Sequence, residues 1–318
     1  MKRINRRTFF SNSMMTVAAL SVPTTLLGKE LVNKEVFLES PTDYVVSNLE
    51  QPEIIDTNIH LLEYPFRRLK YGETSELIKK LKKHRISQAW AGNFEALFHK
   101  NIDAVNLRLA EECKKYGKGM LLPFGTVNIA WPDWEEDLRR CHEVYKMPGI
   151  RIYPIYQTFD FNHPDFLKLV QEVSKRKMIL QIVGDIDDAR NIHPVVQLRG
   201  VSFEPIVDVM KKVPDAKVQL VYWNNRVGGK VLERFIQETN VLLDTARIET
   251  NGGVSRLIEG KPWNGSAKPV PADRILFGSH APYFPVEDNL LKLFESPLSM
   301  DQLQAIMNKN AKQFLTNV

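Results

Sequence analysis

Short apolar runs rich in β-branched residues alternate with amphipathic stretches from residue 53 onward. Apolar runs of this kind are typical of strands buried on both faces of a parallel sheet. They occur at 53–60, 86–93, 120–128, 149–154, 178–185, 217–224, 240–246 and 274–281. Eight strands alternating with helices predict an α/β fold, a (β/α)8 TIM barrel that forms a single domain. An open doubly wound sheet is the alternative, and it is less favoured because no glycine-rich phosphate loop follows the first run.

Start signals for helices lie between the apolar runs. The first N–H groups of a helix have no partner within it. Proline favours the first turn because it has no N–H, and short polar side chains favour the cap position because they accept from one of these N–H groups. The predicted starts are Thr74 or Ser75, Asp103, Pro132, Pro164 and Ser299, the last with Gln302 at capping-box spacing. The stretch 259–273 is rich in glycine, proline and lysine, which predicts an irregular loop before the last strand.

The amino terminus reads NRRTFF and continues into a mildly apolar stretch that ends near Gly28. This arrangement resembles a twin-arginine signal, which is read by a receptor that exports folded proteins, so the mature protein is expected in the periplasm. A disordered basic terminus is the alternative. The predicted organisation is a leader at 1–30, an extension at 31–52 and the barrel at 53–318. No later run is long and apolar enough to predict a transmembrane segment.

Most of the formal charge of +5 lies in the predicted leader. Lys2, Arg3, Arg6 and Arg7 fall within the first ten residues, and without them the chain carries a charge of about +1. A nucleic acid is therefore not expected as a partner, and a small-molecule substrate is. The pattern indicates no oligomeric state.

Polar residues gather at the carboxyl ends of the predicted strands. In a barrel of this type those ends face a common mouth, where enzymes with this fold hold their active sites. His60, Arg151 and His280 are the candidate catalytic residues there. The candidate substrate-binding residues are Asn58, Asn93, Asn128, Tyr153, Gln181, Tyr222, Asn224 and Asp244. Each has an alternative interpretation, because a buried polar side chain at a strand end also serves to satisfy the backbone of the next loop.

Four segments resemble the amidohydrolase-related family: IIDTNIHL, GIRIYP, RILFGSHAP and IMNKNAKQFL. The resemblance spans roughly residues 53–315 and implies a barrel of the kind found in metal-dependent hydrolases and decarboxylases. The family pattern is Asp-x-His-x-His in the first strand, a His from the fifth and from the sixth strand, and Asp in Gly-Ser-Asp-x-Pro in the eighth. These residues hold Zn or a similar divalent ion, which lowers the pKa of a bound water to about 7.

This chain departs from that ligand set at nearly every position. Asn58 replaces the first His of the pair, and only His60 is kept. Val183 and Tyr222 stand where the fifth-strand and sixth-strand His residues are expected, and His280 replaces the eighth-strand Asp. The blocks YPFRRL and FGSHAPYF are similar to a divergent subgroup of the family, which implies that the subgroup shares these departures. Because catalytic Zn usually has three protein ligands, no metal cofactor is expected at the family's position.

Three hypotheses about function follow. The favoured one is a metal-independent hydrolase of a small carboxylated or lactone-type, sugar-acid-like substrate. In it His60 or His280 is the general base and Arg151 binds a carboxylate or an oxyanion; the resemblance supports it, because some related lactonases work without a metal. The second is a metal-dependent hydrolase or decarboxylase whose rebuilt site holds Zn or another divalent ion with His60, His280 and Asp185 or Asp244. The third is a non-catalytic ligand-binding barrel.

Overall fold

The computed structural model describes residues 53–188, 192–196, 198, 200–248, 250–261 and 268–316. The predicted leader and the extension at 31–52 lie outside these residues, as does the middle of the loop predicted at 259–273. Among the helices of the described residues, none has the length and apolar character needed to cross a membrane.

Eight parallel strands form one sheet in the order of the chain. They are β1 Ile54–Leu61, β2 Ile86–Asn93, β3 Leu121–Gly125, β4 Gly149–Ile152, β5 Ile179–Val183, β6 Lys217–Val221, β7 Leu242–Asp244 and β8 Ile275–Leu276. The segment after β8 closes the sheet onto β1, because the N–H of His280 donates to the carbonyl of Asn58 at 2.7 Å and the N–H of His60 donates to Ala281 at 2.8 Å. The predicted (β/α)8 barrel is confirmed.

Helices follow the strands and cover the outside of the sheet. They are α1 Thr74–Lys83, α2 Ile102–Glu112, α3 Trp134–Glu143, α4 Pro154–Gln157, α5 Pro164–Lys175, α6 Glu204–Lys212, α7 Gly229–Glu238, α8 Gly253–Ile258, α9 Val286–Phe294, α10 Met300–Gln304 and α11 Asn310–Thr316. Each longer helix buries one apolar stripe, as α1 does with Leu77, Ile78 and Leu81. Burial of these stripes against the sheet supplies the main favourable free energy of folding.

The predicted helix starts agree with the structure at three of the five places. α1 begins at Thr74, α5 begins at Pro164, and Ser299 forms the predicted capping box with Gln302. The prediction for Asp103 was wrong: the cap is Asn101, whose Oδ1 accepts from the N–H of Ala104 at 3.0 Å. A cap must reach the third N–H of its helix, and Asp103 lies already within the first turn.

Several predicted strands run on further than the observed strands do, among them those that became β6 and β8. Tyr222 directly after β6 has a φ of 52°, and His280 after β8 has a φ of 59°. A side chain with a Cβ adopts this left-handed backbone at a cost, and it ends the extended conformation at once. Both residues therefore end the regular strand conformation at the carboxyl edge of the sheet.

Candidate active site at the mouth of the barrel

The structure brings His60, Arg151 and His280 together at the carboxyl end of the sheet. His60 lies near the end of β1, Arg151 lies in β4, and His280 follows β8. Nη1 of Arg151 is 3.2 Å from Nε2 of His60, and the imidazole centroids of His60 and His280 are 5.0 Å apart. None of the three side chains is more than 1% exposed. The three predicted catalytic residues thus form one buried cluster.

The hydrogen bonds of the two imidazoles fix opposite tautomers. The guanidinium of Arg151 is a donor only, so Nε2 of His60 accepts and the ring proton sits on Nδ1. Nε2 of His280 lies 2.9 Å from the carbonyl oxygen of Ile186, so Nε2 carries the proton and Nδ1 keeps its lone pair. Neither Nδ1 atom has a hydrogen-bond partner among the described residues. The cluster therefore offers one free donor, on His60, and one free acceptor, on His280.

Both imidazoles are neutral near pH 7. Burial lowers the pKa of His60 well below its usual 6.5, and the charge of Arg151 lowers it further. Burial also lowers the pKa of His280 to about 3, with the Ile186 carbonyl opposing the shift and Arg151 adding to it. Desolvation disfavours the charged form of a base, and a nearby cation does the same. The tautomers inferred above are therefore those of the neutral rings.

Arg151 has no donor left for a substrate in this arrangement. Its Nε donates to Oε1 of Gln181 at 2.8 Å, and Nη1 donates to the carbonyl of Ile59 at 2.7 Å as well as to His60. Nη2 donates to the carbonyls of Trp90 at 3.1 Å and Thr57 at 3.4 Å. A guanidinium has five N–H groups, and all five are used. The predicted binding of a carboxylate or oxyanion by Arg151 therefore finds no free N–H here.

Two buried carboxyl groups lie near the cluster. Asp244 accepts from Nδ2 of Asn58 at 2.7 Å and from the N–H of Tyr222 at 2.9 Å. Asp56 accepts from the N–H groups of Asn58 and Ser279 at 3.1 and 3.0 Å. Burial raises the pKa of Asp244 to about 7 and that of Asp56 to about 6, against the lowering effect of these hydrogen bonds. Sequence reasoning missed Asp56 and Ser279, although Asp56 opens the family's first-strand pattern.

The other predicted substrate-binding residues mostly serve the protein itself. Asn93 caps the turn that follows β2 and also donates to the carbonyl of Val105. Asn128 accepts from the N–H of Ala130, and Nδ2 of Asn224 donates to the carbonyl of Arg247. Gln181 accepts from Arg151 and donates to Thr57 and Gln219, so its amide is fully used. These contacts match the alternative interpretation, in which strand-end polar groups satisfy neighbouring backbone and side chains.

Tyr153 and Tyr222 have positions closer to the imidazoles. The Tyr153 ring lies 6.0 Å from His60, and burial raises its pKa to about 12, so the hydroxyl stays protonated. The Tyr222 ring lies 4.8 Å from His280, and its hydroxyl accepts from Arg247 at 2.6 Å. Both aromatic rings are therefore walls of the cluster.

A cover of aromatic rings lies over the two imidazoles. Phe94 stacks on His60 with centroids 4.7 Å apart, and Tyr283 and Phe284 lie 5.4 and 5.6 Å from His280. Asp187, in the loop after β5, accepts from the hydroxyls of Tyr64 at 3.0 Å and of Tyr283. Three loops are thus joined above the cluster. Asp187 was not predicted, because nothing in the motif GDIDD distinguishes a carboxylate that joins loops from one that faces solvent.

The residues at the family's ligand positions do not fit a divalent ion. Val183 has no lone pair, and the Nε2 atoms of both imidazoles are engaged by Arg151 and by the Ile186 carbonyl. Asp185, an alternative ligand, forms an ion pair with Arg226 at 2.8 Å. Within the described part of the chain, no group of three or more His, Cys, Asp or Glu side chains is arranged to hold a metal. A guanidinium 3.2 Å from the one retained histidine also repels any cation there.

Solved structures of other proteins share this architecture. A 2,6-dihydroxybenzoate decarboxylase from Rhizobium is 14% identical over 84% of this chain and 99% of its own, with a TM-score of 0.60. A dihydroxybenzoic acid decarboxylase from Polaromonas sp. JS666, with bound manganese and an inhibitor, is 13% identical over 84% and 97%, with a TM-score of 0.63. A 5-carboxyvanillate decarboxylase from Sphingomonas paucimobilis is 11% identical over 83% and 99%, with a TM-score of 0.59. At these identities the likeness establishes a shared fold.

The sequence places the chain more narrowly than the fold does. None of the curated proteins matches it. The sequence pattern of the amidohydrolase family matches residues 91–316, which is well over half of the chain and includes Arg151 and His280. The match begins within β2 and therefore does not include His60 on β1. The structure is what places His60 beside Arg151 and His280. On this evidence of sequence and fold, the chain belongs to the amidohydrolase family.

Proposed function

We propose that this protein is a metal-independent hydrolase of small, uncharged lactones or esters. The general base is Nδ1 of His280, and the donor to the oxyanion is the Nδ1–H of His60. The observation that supports this proposal most is the pair of opposite tautomers, because acyl transfer needs a lone pair for water and a hydrogen-bond donor for the carbonyl oxygen. The two rings supply these groups with their centroids 5.0 Å apart.

The reaction follows from these two nitrogen atoms. A water molecule attacks the acyl carbon as its proton moves to Nδ1 of His280, and the carbonyl oxygen gains negative charge beside the Nδ1–H of His60. The bond between the acyl carbon and the ring oxygen then breaks, and that oxygen takes the proton from His280. The product is a hydroxy acid, and both imidazoles return to their starting tautomers.

The basicity of His280 depends on whether the aromatic cover is closed. Without water, burial holds its pKa at about 3, which makes the imidazole a weak base. A substrate and a water molecule at the ring restore part of its solvation and raise its pKa toward the usual value of about 6.5. The rings of Tyr283 and Phe284 beside His280 must therefore move during each turnover.

The surroundings favour a neutral substrate over an anionic one. All five N–H groups of Arg151 are engaged, so a carboxylate finds no partner on this residue. The charge of Arg151 attracts a carboxylate only through space, and a buried charge without hydrogen bonds is costly, whereas a lactone needs only the donor and the acceptor already present. Aromatic rings at Phe94, Tyr153, Tyr222 and Tyr283 supply the apolar walls that small-molecule sites usually have.

The test is a panel of lactones and neutral esters, assayed with purified protein after exhaustive chelation. We expect turnover that neither chelation nor added Zn²⁺ or Mn²⁺ changes. His280→Asn removes the base and is expected to lower kcat by about 10²–10⁴-fold, as is typical for loss of general base catalysis. His142→Asn, on the outside of the barrel in α3, is the matched control and should retain wild-type rates.

Two results contradict the proposal. Activity that disappears on chelation and returns with Zn²⁺ indicates a metal-dependent site. Lactones that raise the melting temperature without being hydrolysed indicate the non-catalytic binding barrel, because a ligand stabilises the folded state it binds whether or not it reacts.

A further inference from the structure

We infer that Arg151 is a resident cation of the barrel interior: its guanidinium excludes a divalent ion from the polar cluster and fixes the tautomer of His60. Arg151 acts through His60 and is therefore a positioning residue. The inference goes beyond the proposed hydrolysis, since it holds whether or not the mouth turns over a lactone.

The guanidinium sits in a cage of acceptors supplied by three strands besides its own. β1 provides the carbonyls of Thr57 and Ile59 and the Nε2 of His60, β2 provides the carbonyl of Trp90, and β5 provides Oε1 of Gln181. Four of these five acceptors are oxygen atoms and one is an imidazole nitrogen. The protein thus surrounds this cation with the kinds of donor atom that also bind metal ions.

The backbone makes room for the guanidinium at one particular residue. A Cβ at Gly92 in β2 would lie 2.7 Å from Nη1 of Arg151 and 2.6 Å from the hydroxyl of Tyr153. Neither group has space to retreat, because Arg151 and Tyr153 are both fully buried. Gly92 is therefore needed for the close approach of β2 to the cation.

A second network holds the cage in place. Nε2 of Gln181 donates to the carbonyl of Thr57 and to Oε1 of Gln219, and Gln219 donates to Oγ1 of Thr57, all at 2.8 Å. This network ties β1, β5 and β6 across the interior. With Arg151 added, five strands are joined by side-chain hydrogen bonds around one fixed positive charge.

The same charge accounts for the altered ligand positions. A divalent ion on Nε2 of His60 would displace Arg151 from that atom and leave a buried guanidinium next to it. Two cations at this distance in a buried site repel each other strongly. Asn58, which replaces the family's first-strand His, donates from Nδ2 to Asp244 at 2.7 Å.

One test reads the tautomer of His60 in the wild-type protein. Histidine labelled with ¹⁵N distinguishes protonated from unprotonated ring nitrogens, and loss of signals in His60→Asn assigns the ring. We expect Nδ1 protonated and Nε2 unprotonated at about pH 7, where the ring is neutral. The reverse tautomer, or a doubly protonated ring, overturns the inference, and this measurement requires no substitution at Arg151.

A second test separates the charge of Arg151 from the lack of ligands. Asn58→His restores the family's first-strand pair, and it is compared with the double variant Asn58→His/Arg151→Gln, in which the cation is removed. Binding of Mn²⁺ is measured by electron paramagnetic resonance, with circular dichroism to confirm that both variants fold. We expect the double variant to bind at least about 100-fold more tightly, because only the single variant keeps the repelling charge.

Equal binding by the two variants contradicts the inference, whether both bind Mn²⁺ or neither does. Neither the NMR experiment nor the Mn²⁺ experiment involves a lactone, so failure of the proposed hydrolysis would leave both results unaffected.

Discussion

At the scale of single residues, the chemistry of the mouth depends on which ring nitrogen carries the proton. His60 and His280 have the same side chain and lie in one buried cluster, yet one presents a donor and the other an acceptor. The difference comes from their Nε2 partners, a guanidinium and a backbone carbonyl. The backbone of His280 is left-handed, with a φ of 59°. Strained backbone positions of this kind are common at functional sites.

The pH dependence of kcat/KM checks this assignment. This constant reports on the free enzyme, in which burial sets the pKa of His280 at about 3. Protonation removes the base only below that pKa, so kcat/KM should stay constant from about pH 7 down to about pH 5. His142→Asn should give the same profile. A loss of half of the activity near pH 6.5 that persists in Asp244→Asn would instead indicate a histidine with ordinary solvation.

The positions of these residues could be predicted from the sequence, but their roles could not. His60, Arg151 and His280 fall at strand ends, and a closed barrel brings strand ends together. The engagement of Arg151 was not predictable, because three of its five acceptors are backbone carbonyls, which every residue carries. The same limit applies to Asn93 and Asn128, whose backbone contacts leave no mark in the pattern of residue types.

At the scale of elements, three loops meet above the imidazoles. Tyr64 belongs to the loop after β1, Asp187 to the loop after β5, and Tyr283 to the loop after β8. Arg67 lies 4.7 Å from the centre of the Tyr283 ring, which adds a cation–π contact to the same cover. The hydrogen bonds of Asp187 therefore join loops on opposite sides of the mouth.

Asp187→Ala should loosen this cover. The substitution removes the acceptor of both tyrosine hydroxyls, and hydrogen bonds to charged groups contribute about 1.5–3 kcal/mol each. We expect faster hydrogen–deuterium exchange in residues 62–71 and 281–285, with the strands unchanged. Asp215→Ala, at an exposed position before β6, is the control. Unchanged exchange in both segments would show that Asp187 does not hold the cover closed.

The sequence predicted all eight strands, but some of their ends only loosely. The run predicted at 274–281 contains a strand of two residues, Ile275–Leu276, and the remainder forms the irregular segment that closes the barrel. Apolar and β-branched residues mark burial, and a buried segment need not be paired in the sheet. His280 lies in such a segment, which is buried but is not a regular strand.

At the scale of the whole molecule, the interior of the barrel carries both a fixed cation and acids that resist ionisation. Arg151 is fully buried and, as an arginine, remains charged. Asp244 and Asp56 share that interior, and burial raises the pKa values of both. Hydrogen bonds to Asn58, Tyr222 and Ser279 offset only part of this effect. At weakly acidic pH the folded protein therefore keeps these two carboxyl groups protonated, whereas the unfolded chain has them ionised.

Stability should consequently fall as the pH rises through the weakly acidic range. The pKa of Asp244 is about 7 when folded and near 3.8 when exposed, so the folded state binds the proton more tightly. Its contribution is complete below about pH 4 and is lost as the pH rises to about 7, with a size of about 4 kcal/mol. Asp244→Asn should remove this contribution, because an amide does not titrate. The fold should tolerate the substitution, because Oδ1 of Asn58 has no partner and the Asn58 amide is able to turn so that this oxygen accepts from the new Nδ2.

Urea unfolding of the wild type and of Asp244→Asn at about pH 5 and pH 8 measures this contribution. Surface acids such as Glu136 and Glu238, whose pKa values are lowered by arginine, change stability in the opposite direction. They are the same in both proteins, so the difference between the two pH dependences belongs to Asp244. The wild type should lose more stability than the variant on going to the higher pH. If the two proteins lose the same stability, Asp244 is ionised in the folded barrel at both pH values. Its negative charge would then balance the positive charge of Arg151.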